Sequence, residues 1–296
     1  MDYEVFIDGV NLGNIKKGIQ ITDRQGAKAD DIRLIILNDE NLIVKRGSIL
    51  ECSFGGFSSG KMNVDTISSN STNTQIGAIS APLSSKIKHT RHWLKVRLFD
   101  IVNDVAVNNG LSVFYQGVTN YYYENVTQFK ETDLAFLNRL CEREGYSLKI
   151  DNNRLVIYSN EVIESAEPVK KIGFNDVIDQ RISFSQNPNR VTSVTVKHYS
   201  DQLISHTATR GPGGEEVIIR EYVSDISEAK RFSENYLASL SQNDTTVDCL
   251  VPITDEVAAG NCVEFIDYSM FNGKYLIFEC SHDPEKNQTR LRGRKV

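Results

Sequence analysis

Several residue groups in this 296-residue chain have types and spacings that chemistry could use. The run Gly55-Gly56-Phe57-Ser58-Ser59-Gly60-Lys61-Met62 matches two motifs at once. Gly56-x-Ser58-x-Gly60 has the spacing of a nucleophile elbow, where a sharp strand-to-helix turn exposes a serine hydroxyl for acyl transfer. Gly55, Gly60 and Lys61 fall at the spacing of a phosphate-binding loop, where backbone N–H groups and a lysine hold nucleotide phosphates. Both motifs need a helix directly afterwards. Met62 to Ile67 alternates at period 2 instead, which is a strand pattern. Met62 also occupies the place of the Ser or Thr that would hold magnesium. The run therefore reads as a hairpin turn, with Phe57 and Lys61 as candidate partner contacts.

Metal chemistry has two candidates. His89 and His92 stand three apart, with no third ligand nearby. Cys249, Cys262, Cys280 and His282 all lie in the last β-rich stretch, and Cys280 and His282 share a strand face by period 2. Single cysteines 13 and 18 residues apart lack the close pairs of structural zinc and iron–sulfur sites. Buried thiols are the reading taken. Asp30-Asp31 and Glu215-Glu216 are adjacent, so on strands their side chains diverge and cannot flank one glycosidic bond. They read as solvated turns. Trp93 and Tyr121-Tyr122-Tyr123 are a candidate sugar platform, weighed against core packing. At the C-terminal end, Arg290, Arg292 and Arg294 alternate and are followed by Lys295. On a strand the three arginines share one face, a basic stripe suited to an acidic partner.

These residues must be positioned by a layout with three parts. The first 85 residues read as short strands with turn residues between them, around Tyr3–Ile7, 32–37, 49–54, 64–67 and 76–79. Residues 68–74 form a polar loop. Then Leu98, Ile101, Val102, Val105 and Ala106 recur at helical spacing up to the stop Asn109-Gly110. A second helix is expected from Asp133 to Glu144, capped by Thr132 and closed by Gly145. A hairpin follows, 146–150 and 155–158, turning at Asp151-Asn152-Asn153. From about residue 166 the chain returns to strands. One helix, 226–240, interrupts them and opens on a capping box of Asp225 and Glu228.

Composition bounds the function classes. There are 39 Asp+Glu against 33 Lys+Arg, a net charge of -6. That is a poor balance for a protein whose main task is gripping nucleic acid. No stretch approaches the roughly 20 apolar residues of a membrane-spanning helix, and no secretory signal is visible. Five cysteines without a CxxC pair fit a reducing compartment.

Thr132-Asp133-Leu134-Ala135-Phe136-Leu137-Asn138-Arg139-Leu140-Cys141-Glu142-Arg143-Glu144-Gly145-Tyr146 resembles the helix-and-hairpin segment of tailed-phage baseplate hub proteins of the late control gene D family. That family is similar to the hub portion of type VI secretion spike proteins. Leu98–Leu111 resembles the family's preceding helix, and the opening through "VFIDGVNL" and "ITDRQGAKADDIRLIILND" its first-barrel start. Ser227–Leu240 and the closing Gly260–Asp283 stretch are similar to its second-barrel helix and last strands. The resemblance runs along nearly the whole chain. It implies a mainly β fold with an α/β insert: two related antiparallel, tube-type β-barrel domains at 1–85 and 166–296, and a helix–hairpin domain at 86–165. It implies a homotrimer whose six barrels form a pseudo-sixfold ring joining the tail tube to the central spike. Partners would be the tube protein, a separate spike protein (the chain ends soon after its second barrel), other baseplate proteins and the tape measure protein. No catalytic residue, cofactor or metal comes with it. The location implied is the baseplate of a virion tail or tail-like particle, a contractile injection system included, assembled in the bacterial cytoplasm. Loops 55–61 and 68–74 and the stripe Arg290/Arg292/Arg294/Lys295 are the expected contacts. The alternative function is a host-binding or carbohydrate-binding tail module.

Overall fold

The computed structural model describes all residues except 1, 27, 41 and 200. Two strand-built units flank a mixed unit, and one continuous sheet runs through both strand-built units. In the first, six strands lie in the spatial order Lys16–Arg24, Asp31–Leu37, Asn73–Ile79, Met62–Ser69, Ile49–Phe54 and Tyr3–Ile7, each antiparallel to the next. Alternation explains the fold. Val5, Ile7, Ile19, Ile21, Ile32, Leu34, Leu50, Cys52, Val64 and Ile76 all point to one core, and along Asp31–Leu37 and Ile49–Phe54 the residues between them are turned away from it.

The second unit repeats that order. Ile182–Gln186, Thr245–Pro252, Gln288–Lys295, Gly273–Asp283, Cys262–Phe265 and Lys170–Ile172 follow one another in space as the six strands of the first unit do. One pairing differs, because 170–172 runs parallel to 262–265. Tyr275, Phe265, Ile277, Val263 and Leu291 fill this core. The two units join where Ile21–Arg24 pairs antiparallel with Glu279–His282.

Between them lie the helices α1 (Leu98–Asn108) and α2 (Asp133–Glu142) and the hairpin Tyr146–Asp151/Arg154–Ser159. The apolar stripe expected of α1 is buried, and α2 buries Phe136, Leu137, Leu140 and Cys141. Thr132 caps α2 by accepting from the Ala135 N–H, and the turn residues Asn152 and Asn153 have positive φ. Strand Ser112–Gln116 adds in parallel to 154–159. A long ribbon, Lys88–Arg97 against Tyr122–Thr132, crosses the helices. A short helix, α3 (Asn160–Ser165), follows the hairpin.

One grouping differs from the sequence reading. The sequence reading places helix 226–240 and the strands that precede it in the second barrel. The helix is present as α4 (Ile226–Ser241), and the strands form a separate sheet of Leu203–Thr209, Val191–Tyr199 and Glu215–Arg220. Their buried side chains, Val194, Val196, Ala208, Ala229, Phe232 and Leu237, share one core with Leu98, Phe136 and Leu148 of the middle unit. Each buried Val, Leu or Phe side chain among them is worth roughly 1.5–3 kcal/mol, so the packing binds this excursion to the insert. The capping box is shifted by one: Asp225 accepts from the Glu228 N–H, but the Glu228 carboxylate accepts from Ser224 N–H.

Candidate partner interface

The residues with chemical potential are distributed by this fold in ways that decide among their readings. Gly55 and Gly56 form the hairpin turn between Ile49–Phe54 and Phe57–Ser58, residues 59–61 continue from it, and Met62–Ser69 follows as a strand. Ser59 is tied into the turn, its hydroxyl accepting from Cys52 N–H at 2.9 Å. A strand, not a helix, follows the loop, so neither the elbow nor the phosphate-loop geometry is built. Phe57 stacks on Phe54 with ring centroids 4.8 Å apart and lies 4.9 Å from His282. Gly56 N–H donates to Asp255 at 2.5 Å. The turn thus joins the two barrels within the chain, and Lys61 remains exposed at its base.

His89 and His92 occupy one strand and point to opposite faces; His92 Nδ1 lies 2.8 Å from Thr127 Oγ1. Cys249 and Cys280 lie in the second-barrel core, while Cys262 points its sulfur at the Ile163 carbonyl, 3.4 Å away. His282 sits apart from them, against Phe54 and Phe57, with Nδ1 3.0 Å from Thr289 Oγ1. Among the described residues, no three His, Cys, Asp or Glu side chains gather to hold a metal. Burial pushes the Cys52 and Cys249 thiols up to about 12, so at neutral pH they are protonated and weak nucleophiles. Burial likewise holds the His282 imidazole down at about 4.

Trp93 stacks on the buried Phe136, ring centroids 5.2 Å apart and nearly parallel, and Tyr123 is buried. The aromatic group is therefore largely engaged with the core, although Tyr122 is exposed. Glu215 and Glu216 are exposed, but they open the strand Glu215–Arg220 instead of forming a turn. Asp30 is not: it is buried, contrary to the solvated-turn reading, and accepts from Arg24 N–H at 2.7 Å. It lies near Lys149 Nζ, whose closest partner is Asp23. Asp23 also accepts from Ala259 N–H at 2.8 Å. Three units meet at this cluster. Burial pushes the Asp30 carboxyl up to about 7, against the pull of Lys149.

The basic stripe is present but neutralised. Arg290 forms a two-pronged contact with Asp248 at 2.7 and 2.6 Å. Arg292 bridges Asp248 and Glu279 at 3.2 and 2.9 Å. Arg24 reaches Glu279 at 3.1 Å and pairs with Asp31. Arg294 is buried and meets Glu164 of α3 at 2.5 Å, because the short helix covers that end of the strand. Lys295 donates to the Asn272 carbonyl at 2.9 Å. What remains for a partner is an outward face of alternating charges around Arg24, Glu279, Arg290, Arg292 and Asp248, spanning both barrels. Exposed pairs of this kind add little to stability and more to the choice of partner.

Two buried networks escape a sequence reading. Asp133, the first residue of α2, accepts from Arg91 at 3.0 Å, Asn109 at 2.7 Å and Gln128 at 2.9 Å. An acid in a first helical turn is a readable signal, but the donors Arg91 and Asn109, which arrive from distant elements, are not. Arg143 lies between the rings of Tyr123 and Phe232, 4.8 Å from each, and reaches Glu221 at 2.7 Å. Beside it, Glu144 accepts from Tyr123 and Arg231, both at 2.7 Å. The second network clamps the end of α2 to α4, while Arg143 Nε and Nη2 and, in the first network, Gln128 Oε1 are buried without a hydrogen-bond partner among the described residues.

No family model and no curated protein matches the sequence. Solved structures do match. A 43 kDa tail protein of prophage MuSo2 from Shewanella oneidensis is 14% identical with a TM-score of 0.77, covering 99% of this chain and 98% of that one. A tail protein from Neisseria meningitidis MC58 is 15% identical with a TM-score of 0.79, covering 100% and 97%. An Escherichia coli component of the type VI secretion system, described as structurally similar to bacteriophage T4 tail proteins, is 10% identical with a TM-score of 0.64, covering 99% and 76%. The chain has the mainly β, two-barrel fold of these tail and secretion proteins.

Proposed function

We propose that this protein is a structural hub subunit of a phage tail or tail-like particle. Three copies would form a ring of six barrels that joins the sixfold tail tube to a threefold spike carried by a separate protein. The observation that carries this reading is the repeated strand order: two barrels of one topology in one chain turn threefold symmetry into pseudo-sixfold symmetry. The shared fold with tail proteins supports it. The work is binding and symmetry matching, with no bond made or broken. Other baseplate proteins and the tape measure protein are the further expected partners, and assembly would take place in the bacterial cytoplasm.

The mixed-charge face around Arg290 and Arg292 is proposed as the surface that meets a neighbouring copy or the spike. Lys61, exposed at the base of its turn, is a second proposed contact. Arg294, Lys295 and Phe57 contribute by holding elements of their own chain. The proposal is tested by mass photometry and negative-stain microscopy of the purified chain. Six-lobed trimeric rings are expected; a uniformly monomeric species at micromolar concentration would overturn it.

A further inference from the structure

The repeat makes a residue-level statement about how one copy meets the next, resting on the ring reading above. In the first barrel the Val64 N–H donates to the Ser48 carbonyl at 2.9 Å, and the Val64 carbonyl accepts from Gly47 N–H at 2.8 Å. In the second, Ile277 makes the same two bonds, to Asn261 at 2.9 Å and from Gly260 at 2.7 Å. Gly47 and Gly260 both have positive φ, 90° and 98°. Just past each anchor, the register against the closing strand slips, between Val64 and Thr66 and between Ile277 and Glu279. Thr66–Ser69 is therefore the counterpart of Glu279–His282.

The two segments differ in what lies on their outer side. Glu279–His282 is paired there with Ile21–Arg24. Thr66–Ser69 is paired only with Thr74–Gly77, and no strand among the described residues covers its outer side. The strand corresponding to Lys16–Arg24 is Ile182–Gln186, which among the described residues likewise pairs on one side only, with Thr245–Pro252. Its correspondence is fixed through the ladders. Ile21 lies opposite Ile32, Ile32 opposite Ala78, and Ala78 opposite Val64. Phe184 lies opposite Val247, Val247 opposite Gly293, and Gly293 opposite Ile277. Phe184 is thus the counterpart of Ile21, and Gln186 of Asp23.

Hydrogen-bond parity agrees. Leu250 N–H donates to the Arg181 carbonyl, and Asn187 N–H to that of Asp244, both at 2.9 Å. Antiparallel bonding alternates along a strand, so Ile182, Phe184 and Gln186 turn their backbone groups outward. The Asn70 N–H donates to Asn73 at 3.0 Å, which turns Ile67 and Ser69 outward. Neither edge carries a charge or a proline, the usual guards of a free strand, and Ile67 is 40% exposed.

We propose that the outer edge of Ile182–Gln186 pairs antiparallel with Thr66–Ser69 of a second copy, in the register Gln186 opposite Ile67, Ser185 opposite Ser68 and Phe184 opposite Ser69. The contact repeats between copies the joint that Ile21–Arg24 and Glu279–His282 make within one. It is head-to-tail, so it closes into a ring when the rotation permits.

Ser68 and Ser185 would form a non-hydrogen-bonded pair with Cα atoms about 4.5 Å apart, inside the range a disulfide spans. The test is oxidation of the full-length double variant S68C/S185C, read on a non-reducing gel beside S68C, S185C and the off-register S68C/S183C. Covalent dimer and trimer are expected from S68C/S185C alone, with trimer as the upper limit. Trimers by mass photometry with no more cross-linking in S68C/S185C than in S68C/S183C would overturn the edge pairing and leave the ring standing. A monomeric chain with no cross-link would overturn both. A ladder extending past trimer would support the pairing and refute closure at three.

Discussion

The two barrels share one strand order and differ in what hangs from it. In the first, strands 16–24 and 31–37 are joined directly by a short connection. In the second, the equivalent connection from 186 to 245 carries a three-stranded sheet and α4. The first barrel therefore spends its turn on contact: Asp30, buried within it, meets Lys149 of the insert hairpin. The second spends its excursion on building the outer half of the middle core. A repeated topology leaves the connections free to diverge, and they are where the repeat acquires its joints. Strand 16–24 holds all three units together, through Asp23 on one face and Arg24 on the other.

Removing the joint's buried charge should have the largest effect on this asymmetry. Lys149→Met leaves Asp23 and Asp30 without their cation, and a broken buried pair costs about 3–5 kcal/mol. A fall in thermal midpoint of several degrees is expected by calorimetry. An unchanged midpoint would show that the three-way joint does not hold the units. Asp133→Ala strands three donors between α1, α2 and the ribbon, and a loss of about 2–4 kcal/mol in denaturant unfolding is expected.

The pH response separates the two barrels further. Asp30, in the first, has its folded value raised to about 7. Its contribution is most favourable below the ordinary carboxylate range near 3.8 and is lost as pH rises toward 7. His282, in the second, is lowered to about 4 from 6.5. It favours the fold above pH 6.5 and loses that contribution as pH falls toward 4. Asp30→Asn should gain stability relative to the parent at pH 8 and not at pH 4. His282→Phe should gain at pH 4 and not at pH 8. The same sign of slope from both would break the contrast.

The smallest effect belongs to the outward charges. Arg290→Ala loses an exposed pair with Asp248, worth about 1 kcal/mol or less. Its monomer stability should barely move while assembly weakens, as read by mass photometry at rising salt. Equal loss of both would assign the residue to folding alone.

Legibility in the sequence followed the range of the interactions. The helices around Leu98–Asn108 and 133–142 and the 146–159 hairpin were readable because periodicity, the Thr132 cap and the Asn152-Asn153 turn are local signals. The alternation of Arg290, Arg292 and Arg294 was readable as a shared face. Their neutralisation was not, because Asp248, Glu279 and Glu164 arrive from elsewhere in the chain. Asp30 looked like a turn residue because nothing near it announces Lys149. The attachment of α4 to the middle core was hidden for the same reason: its stripe of Ala229, Phe232 and Leu237 states that a face is buried, but not against what.

In the proposed ring, two barrels of one topology make this chain a threefold subunit with pseudo-sixfold symmetry. Single-particle microscopy of the purified full-length chain tests it most directly. Top views should show three copies arranged as six barrel-sized lobes around an open channel, with first and second barrels alternating. A monomer, or an assembly in which the two barrels of each chain do not share one ring, would contradict it.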